Sequence, residues 1–160
     1  MQGTKRTLAM AATAASLAAT TGPAGAAETA DARAQRGQAV VDALSGGAGQ
    51  PVLDGLRRDF PPLGEATLTY ALGEIVGRTV LDPQTRQLAT VAMLAAQDLQ
   101  PQLKIHAGYA LNLGTAPAEL NEVVYLATVY AGFPRALNAA ATLRALYGER
   151  GIALPVADAE

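Results

Sequence analysis

From Asp31 to the C-terminus, apolar residues recur at i, i+3 and i+4 between glycine and proline breaks, and nowhere do apolar and polar residues alternate strictly. Side chains three and four apart share one face of a helix, whereas a half-buried strand needs a period of two. The fold class expected is all-α: a compact bundle of six to seven helices with short connections. Asp31 to Ser45 carries Ala39, Val40, Ala43 and Leu44, and Gly46-Gly47 stops it. Gln50 opens a short helix reaching about Arg58, and Asp59-Phe60-Pro61-Pro62 reads as a break. Leu63 to Val76 follows, with Leu68, Ala71, Leu72 and Ile75 expected on one face.

The second half carries stronger punctuation. Asp82-Pro83 reads as an N-cap followed by proline at the first helical position, where a missing N–H costs nothing. That helix bears Leu88, Val91, Ala92 and Ala95; Pro101 opens the next and Gly114 closes it. Pro117 starts a helix to Ala131, with Glu119 and Glu122 in the first turns, where the helix dipole favours negative charge. From Val123 to Phe133 the chain is apolar nearly all round, which predicts burial in the core or between subunits, since so short a run cannot cross a membrane. A homo-oligomer is the expectation. Gly132 and Pro134 precede a last helix ending near Gly148.

The first 26 residues read as a cleaved signal peptide rather than as fold. Lys5 and Arg6 form a positive start, Leu8 to Ala19 is apolar and uncharged, and Ala24-Gly25-Ala26 supplies small residues at a cleavage site. The expectation is an exported protein, periplasmic or secreted, whose single domain occupies residues 27–160. Removal of the leader takes two of the 12 basic residues and none of the 14 acidic ones.

Composition narrows the chemistry. With no cysteine, there is no disulfide framework, thiol nucleophile, Cys-x-x-Cys pair or thiolate zinc site. One histidine, His106, excludes a multi-histidine metal centre within the chain. A formal charge of −2 offers no basic field for nucleic acid, and no glycine-rich turn ends in the Lys-Ser or Lys-Thr of a phosphate loop.

His106 shares a helical stripe with Leu103 and Ala110 and so is expected to point inward. A histidine there is either a hydrogen-bonded core residue or a general acid or base near neutral pH. Glu74 and Arg78, like Asp82 and Arg86, stand four apart and read as ion pairs. Alternatively Arg78, following Gly77 in an irregular connection, is placed to clamp a carboxylate. Tyr109, Tyr125 and Tyr130 are core tyrosines or ligand contacts.

The runs Gly73-Glu74-Ile75-Val76-Gly77-Arg78, Leu81-Asp82-Pro83-Gln84-Thr85-Arg86-Gln87-Leu88-Ala89-Thr90, Leu103-Lys104-Ile105-His106, Ala110-Leu111-Asn112-Leu113-Gly114 and Tyr130-Ala131-Gly132-Phe133-Pro134 together resemble the carboxymuconolactone decarboxylase family. The resemblance covers about Asp31 to Gly148. It implies an all-helical fold of the alkylhydroperoxidase D-like kind, assembled as trimers or hexamers, with a pocket around His106. The thiol branch of that superfamily has a Cys-x-x-Cys pair shortly before the histidine, where this chain has Leu99 and Gln102, and a glutamate where it has Gln87. Peroxide reduction by a thiol pair is thereby excluded.

The resemblance implies cofactor-free decarboxylation, or related lyase or isomerase chemistry, on a small carboxylated lactone or similar acid. A conjugated lactone carbonyl accepts the electrons, so neither metal nor cofactor is expected. In this reading His106 is the general acid, assisted by Glu74, and Arg78 or Arg86 holds the carboxylate, with Gln87 and Tyr130 as further substrate contacts. The alternative expectation is an exported, non-catalytic ligand-binding or assembly domain of the same fold.

Overall fold

The computed structural model of the chain describes residues 29–156, and the expected leader lies outside them. These residues form seven α-helices and one π-helical segment, with no strand among them. Helix α1 spans Ala30–Ser45, α2 Pro51–Asp59 and α3 Pro61–Ala66; α3 runs directly into the π segment Thr67–Val76. After an irregular connection come α4 (Pro83–Ala96), α5 (Gln100–Asn112), α6 (Pro117–Tyr130) and α7 (Phe133–Arg150).

Proline explains most of the helix starts. It is the first residue of α2, α3, α4 and α6 and the second of α5 and α7, where no N–H is required. Thr29 caps α1 by accepting from the Ala32 N–H at 3.2 Å, and Gly46 ends it in the left-handed region at φ 62°. Glu119 reaches back to accept from the Ala116 N–H at 2.7 Å at the head of α6.

The molecule has two cores. Helices α4 to α7 enclose the larger, in which Val91, Ala95, Leu103, Ala107, Ala110, Leu120 and Ala139 are fully buried. Tyr147 joins it with its hydroxyl donating to the Pro117 carbonyl at 3.0 Å. The smaller core is Val41, Leu53 and Leu68, where α1 lies along the π segment. There the two backbones nearly touch: a Cβ on Gly37 would lie 2.2 Å from the Leu68 carbonyl oxygen, and one on Gly73 2.2 Å from that of Arg33. Arg36 adds a hydrogen bond from Nε to the Gly73 carbonyl.

Three expectations change. The Asp59-Phe60-Pro61-Pro62 break is a single non-helical residue, Phe60, because Pro61 starts a helix rather than ending one. The helix expected over 63–76 becomes π-helical from Thr67, with the Gly77 N–H bonding five residues back to Leu72 at 2.8 Å. The Thr67 and Thr69 hydroxyls donate to the Leu63 and Glu65 carbonyls, and the Leu63 carbonyl also accepts from the Thr67 N–H. The wider turn rotates the apolar stripe, so Leu68 is buried while Ile75 is 41% exposed.

The apolar run on α6 also divides. Leu120, Val123, Val124 and Ala127 are buried within the chain, whereas Leu126, Val129 and Tyr130 are exposed, continuous in sequence with exposed Phe133 and Leu137 on α7.

Candidate active site

A cavity of about 420 Å³ opens between the second half of α1, the connection after the π segment, and the first turns of α4. Val40, Ala43 and Leu44 of α1 form one apolar wall; Leu81 and Leu113 extend it. Arg78, Thr79, Asp82, Arg86 and Gln87 supply its polar side chains.

Two of these are already committed. Asp82 caps α4, accepting from the Thr85 N–H at 2.9 Å and the Thr85 hydroxyl at 2.5 Å, which holds its carboxyl below the ordinary value of 3.8. Arg86 donates from Nη2 to the carbonyls of Arg78 at 2.7 Å and Leu81 at 3.4 Å, and so pins the connection to α4. The expected Asp82–Arg86 ion pair does not form, because Asp82 is held by the Thr85 N–H and hydroxyl and Arg86 by backbone carbonyls. The Arg78 guanidinium is exposed at the rim, with no hydrogen bond or ion pair among the described residues.

Gln87 is 2% exposed and lines the cavity floor. Packing of α4 on α5 brings its Oε1 to 2.9 Å from Nδ1 of His106, 19 residues away. An amide oxygen has no proton to give, so the hydrogen belongs to Nδ1, and in the neutral ring Nε2 keeps its lone pair. Nε2 has no partner among the described residues and is not a sealed atom. Burial lowers the His106 pKa below the ordinary 6.5, so the ring is mostly neutral at pH 7. Tyr109 packs edge-on against it, ring centroids 5.5 Å apart, and burial raises its hydroxyl pKa.

The candidate residues therefore separate. Arg78, Arg86 and Gln87 line one cavity, and His106 is joined to it through Gln87 without itself forming part of the lining. Glu74 faces a neighbouring recess that shares Gly77, Arg78 and Thr79, and it pairs at 3.5 Å with Arg33 rather than with Arg78. Tyr130 ends α6, 85% exposed, away from the cavity within one chain. Sequence reasoning placed Val40, Ala43 and Leu44 on an apolar stripe without identifying a cavity wall; a stripe reads the same whether it meets side chains or an opening. Among the described residues, no three His, Asp or Glu side chains converge as metal ligands, and no helix is long and apolar enough to cross a membrane.

A model of the family described as "Carboxymuconolactone decarboxylase family" matches residues 61–145, from the start of α3 into α7. Over 84 residues the chain is 32% identical to a 4-carboxymuconolactone decarboxylase of Acinetobacter baylyi (strain ATCC 33305 / BD413 / ADP1). That stretch is 52% of this chain and 63% of the relative, so the chain spans less than two thirds of the protein it matches. Helix α1, which walls the cavity, lies outside the matched family region.

Proposed function

The chain belongs to the carboxymuconolactone decarboxylase family, and from that premise we propose that it decarboxylates a small carboxylated lactone, or an acid of similar electronic structure, without a cofactor. The observation that carries this reading is one apolar recess that gathers an unpaired guanidinium, Arg78, and a buried amide, Gln87, hydrogen-bonded to the chain's histidine.

The acid's carboxylate meets Arg78 at the rim, where a planar two-point donor matches it, and the ring lies against Val40, Ala43 and Leu44. The bond from ring carbon to carboxylate breaks, CO₂ leaves, and the electron pair passes into the conjugated carbonyl to give an enolate. A proton then adds to carbon. His106, which lies behind Gln87 rather than on the lining, supplies it by way of water: Nε2 takes a proton from solvent, and the lowered pKa makes the resulting imidazolium a stronger acid. A positioned acid of this kind contributes roughly 10² to 10⁴ in rate. Arg86 holds the connection bearing Arg78 in place.

The exposed apolar row Leu126, Val129, Tyr130, Phe133 and Leu137 supports association of copies of this chain through the α6–α7 corner. The leader adds export of the protein as part of the same proposal.

The test is CO₂ release from a panel of carboxylated γ-lactones, saturated and unsaturated, with binding followed in parallel. Saturable release from an unsaturated member is expected. Saturable binding without release would favour the non-catalytic ligand-binding domain, and neither binding nor release would contradict both readings. Light scattering on the purified protein tests association, and N-terminal sequencing of the exported protein tests the leader.

A further inference from the structure

Gln87 has a group that the structure leaves unused. Its Oε1 is taken by His106, but its Nε2 donates to nothing among the described residues. It is not sealed either: among the described residues the sealed unpartnered side-chain atoms are Gln50 Nε2 and Thr115 Oγ1. A side chain 2% exposed, on the lining of a cavity, with an unpartnered and unsealed nitrogen, presents that nitrogen to the cavity. The amide is planar, so fixing Oε1 on the histidine fixes the direction of both N–H groups.

Such a donor has one chemical use at this position. The neighbouring wall is apolar, and Asp82 and Arg86 are engaged with backbone and cap. In a low-dielectric recess, a preorganised neutral N–H favours an oxygen that gains negative charge over one that does not. Resting on the decarboxylase reading above, we propose that the Gln87 side-chain amide is the donor that binds the carbonyl oxygen of the substrate and stabilises the enolate formed there as CO₂ leaves. The bond broken is carbon to carboxylate, the electron pair ends on the carbonyl oxygen beside Gln87 Nε2, and the proton arrives at carbon from water that His106 protonates. No oxidant or reductant enters. Glutamate at this position would present only acceptors when ionised, so the amide is what this role requires.

The probe is tetronate, the anion of tetronic acid and a stable lactone enolate, compared with neutral γ-butyrolactone on the full chain. Wild-type protein is expected to bind tetronate roughly 10- to 100-fold more tightly, and the Gln87 side-chain amide signals should shift on saturation. Gln87→Met removes the donors with little change in volume, and Gln87→Glu replaces them with acceptors; both should lose most of the preference while Arg78 still offers its charge. Unmoved Gln87 amide signals in the wild type, or a folded Gln87→Met protein with the wild-type preference, would overturn the proposal. The wild-type spectrum decides the matter even if both variants fail to fold. Gln87-dependent tetronate binding in a protein that releases no CO₂ would sink the decarboxylase reading and keep the donor assignment. CO₂ release at wild-type kcat by Gln87→Met would do the reverse.

Discussion

The two halves of the molecule differ in how they are held together, and the site lies across the seam. Helices α4 to α7 surround a continuous core in which seven residues show no exposure at all, and Gln87 and His106 sit on its inner helices. Helix α1 and the π segment share a small cluster, Val41 and Leu68 with Leu53 of α2, edged by Ala34 and Leu72, and rely on backbone approach at Gly37 and Gly73. Yet this lighter half supplies the apolar wall and the rim arginine. On the proposed function, the groups that need fixed geometry are on the well-packed layer, whereas the surfaces that would choose a substrate are on the layer that is easier to vary. The family match cuts across this division, covering the π segment and Arg78 together with α4 to α6 and most of α7, and leaving α1 and α2 outside it.

That contrast can be broken first at its strong side. Leu103→Ala, in the centre of the larger core at 0% exposure, should cost about 2–5 kcal/mol, read as loss of global stability in denaturant. His106→Ala should instead leave the fold standing and lower kcat by roughly 10² to 10⁴. The histidine also has a stability signature. Its folded pKa lies below 6.5, so the unfolded chain binds the proton more readily. Stability should be complete above pH 6.5, fall as pH drops through 6.5 toward the folded value, and level off below that value; His106→Ala should remove this slope.

Smaller effects probe the light side. Gly37→Ala places a methyl against the Leu68 carbonyl and should cost about 1–3 kcal/mol by forcing α1 off the π segment. Hydrogen exchange should then rise in α1 with little change in α5, and acid binding should weaken through loss of the wall. If exchange rises equally in both, the two halves are one cooperative unit and the contrast fails. Smallest of all is Glu74→Gln: its 3.5 Å pair with Arg33 is solvent-exposed and contributes at most about 1 kcal/mol.

Much of this architecture was legible in the chain because proline marks it. Pro83 and Pro117 placed two helix starts correctly, and Gly46 and Gly114 two ends, since φ restriction and φ freedom act locally. The π segment was not legible: a shift of backbone bonding from four residues back to five changes no residue type, and spacing does not register it. Within the site, the pairing of Gln87 with His106 follows from the packing of α4 on α5, which periodicity brings face to face without giving a register. Spacing leaves Arg78 and Arg86 equal as the carboxylate clamp, and only the structure shows that the Arg86 guanidinium spends two contacts on backbone carbonyls of the preceding connection. A sequence names a cation but not the acceptor that reaches it first.

The central claim is that an acid binds in the recess bounded by α1, Arg78 and Gln87, and a titration of ¹⁵N-labelled protein with a carboxylated γ-lactone tests it most directly. The account predicts saturable shifts at Val40, Leu44, the Arg78 side chain and the Gln87 amide, with His106 following through its hydrogen bond. Saturable shifts confined to another surface, such as the groove at Lys104, Tyr109 and Arg150, with those five positions unmoved, would contradict it.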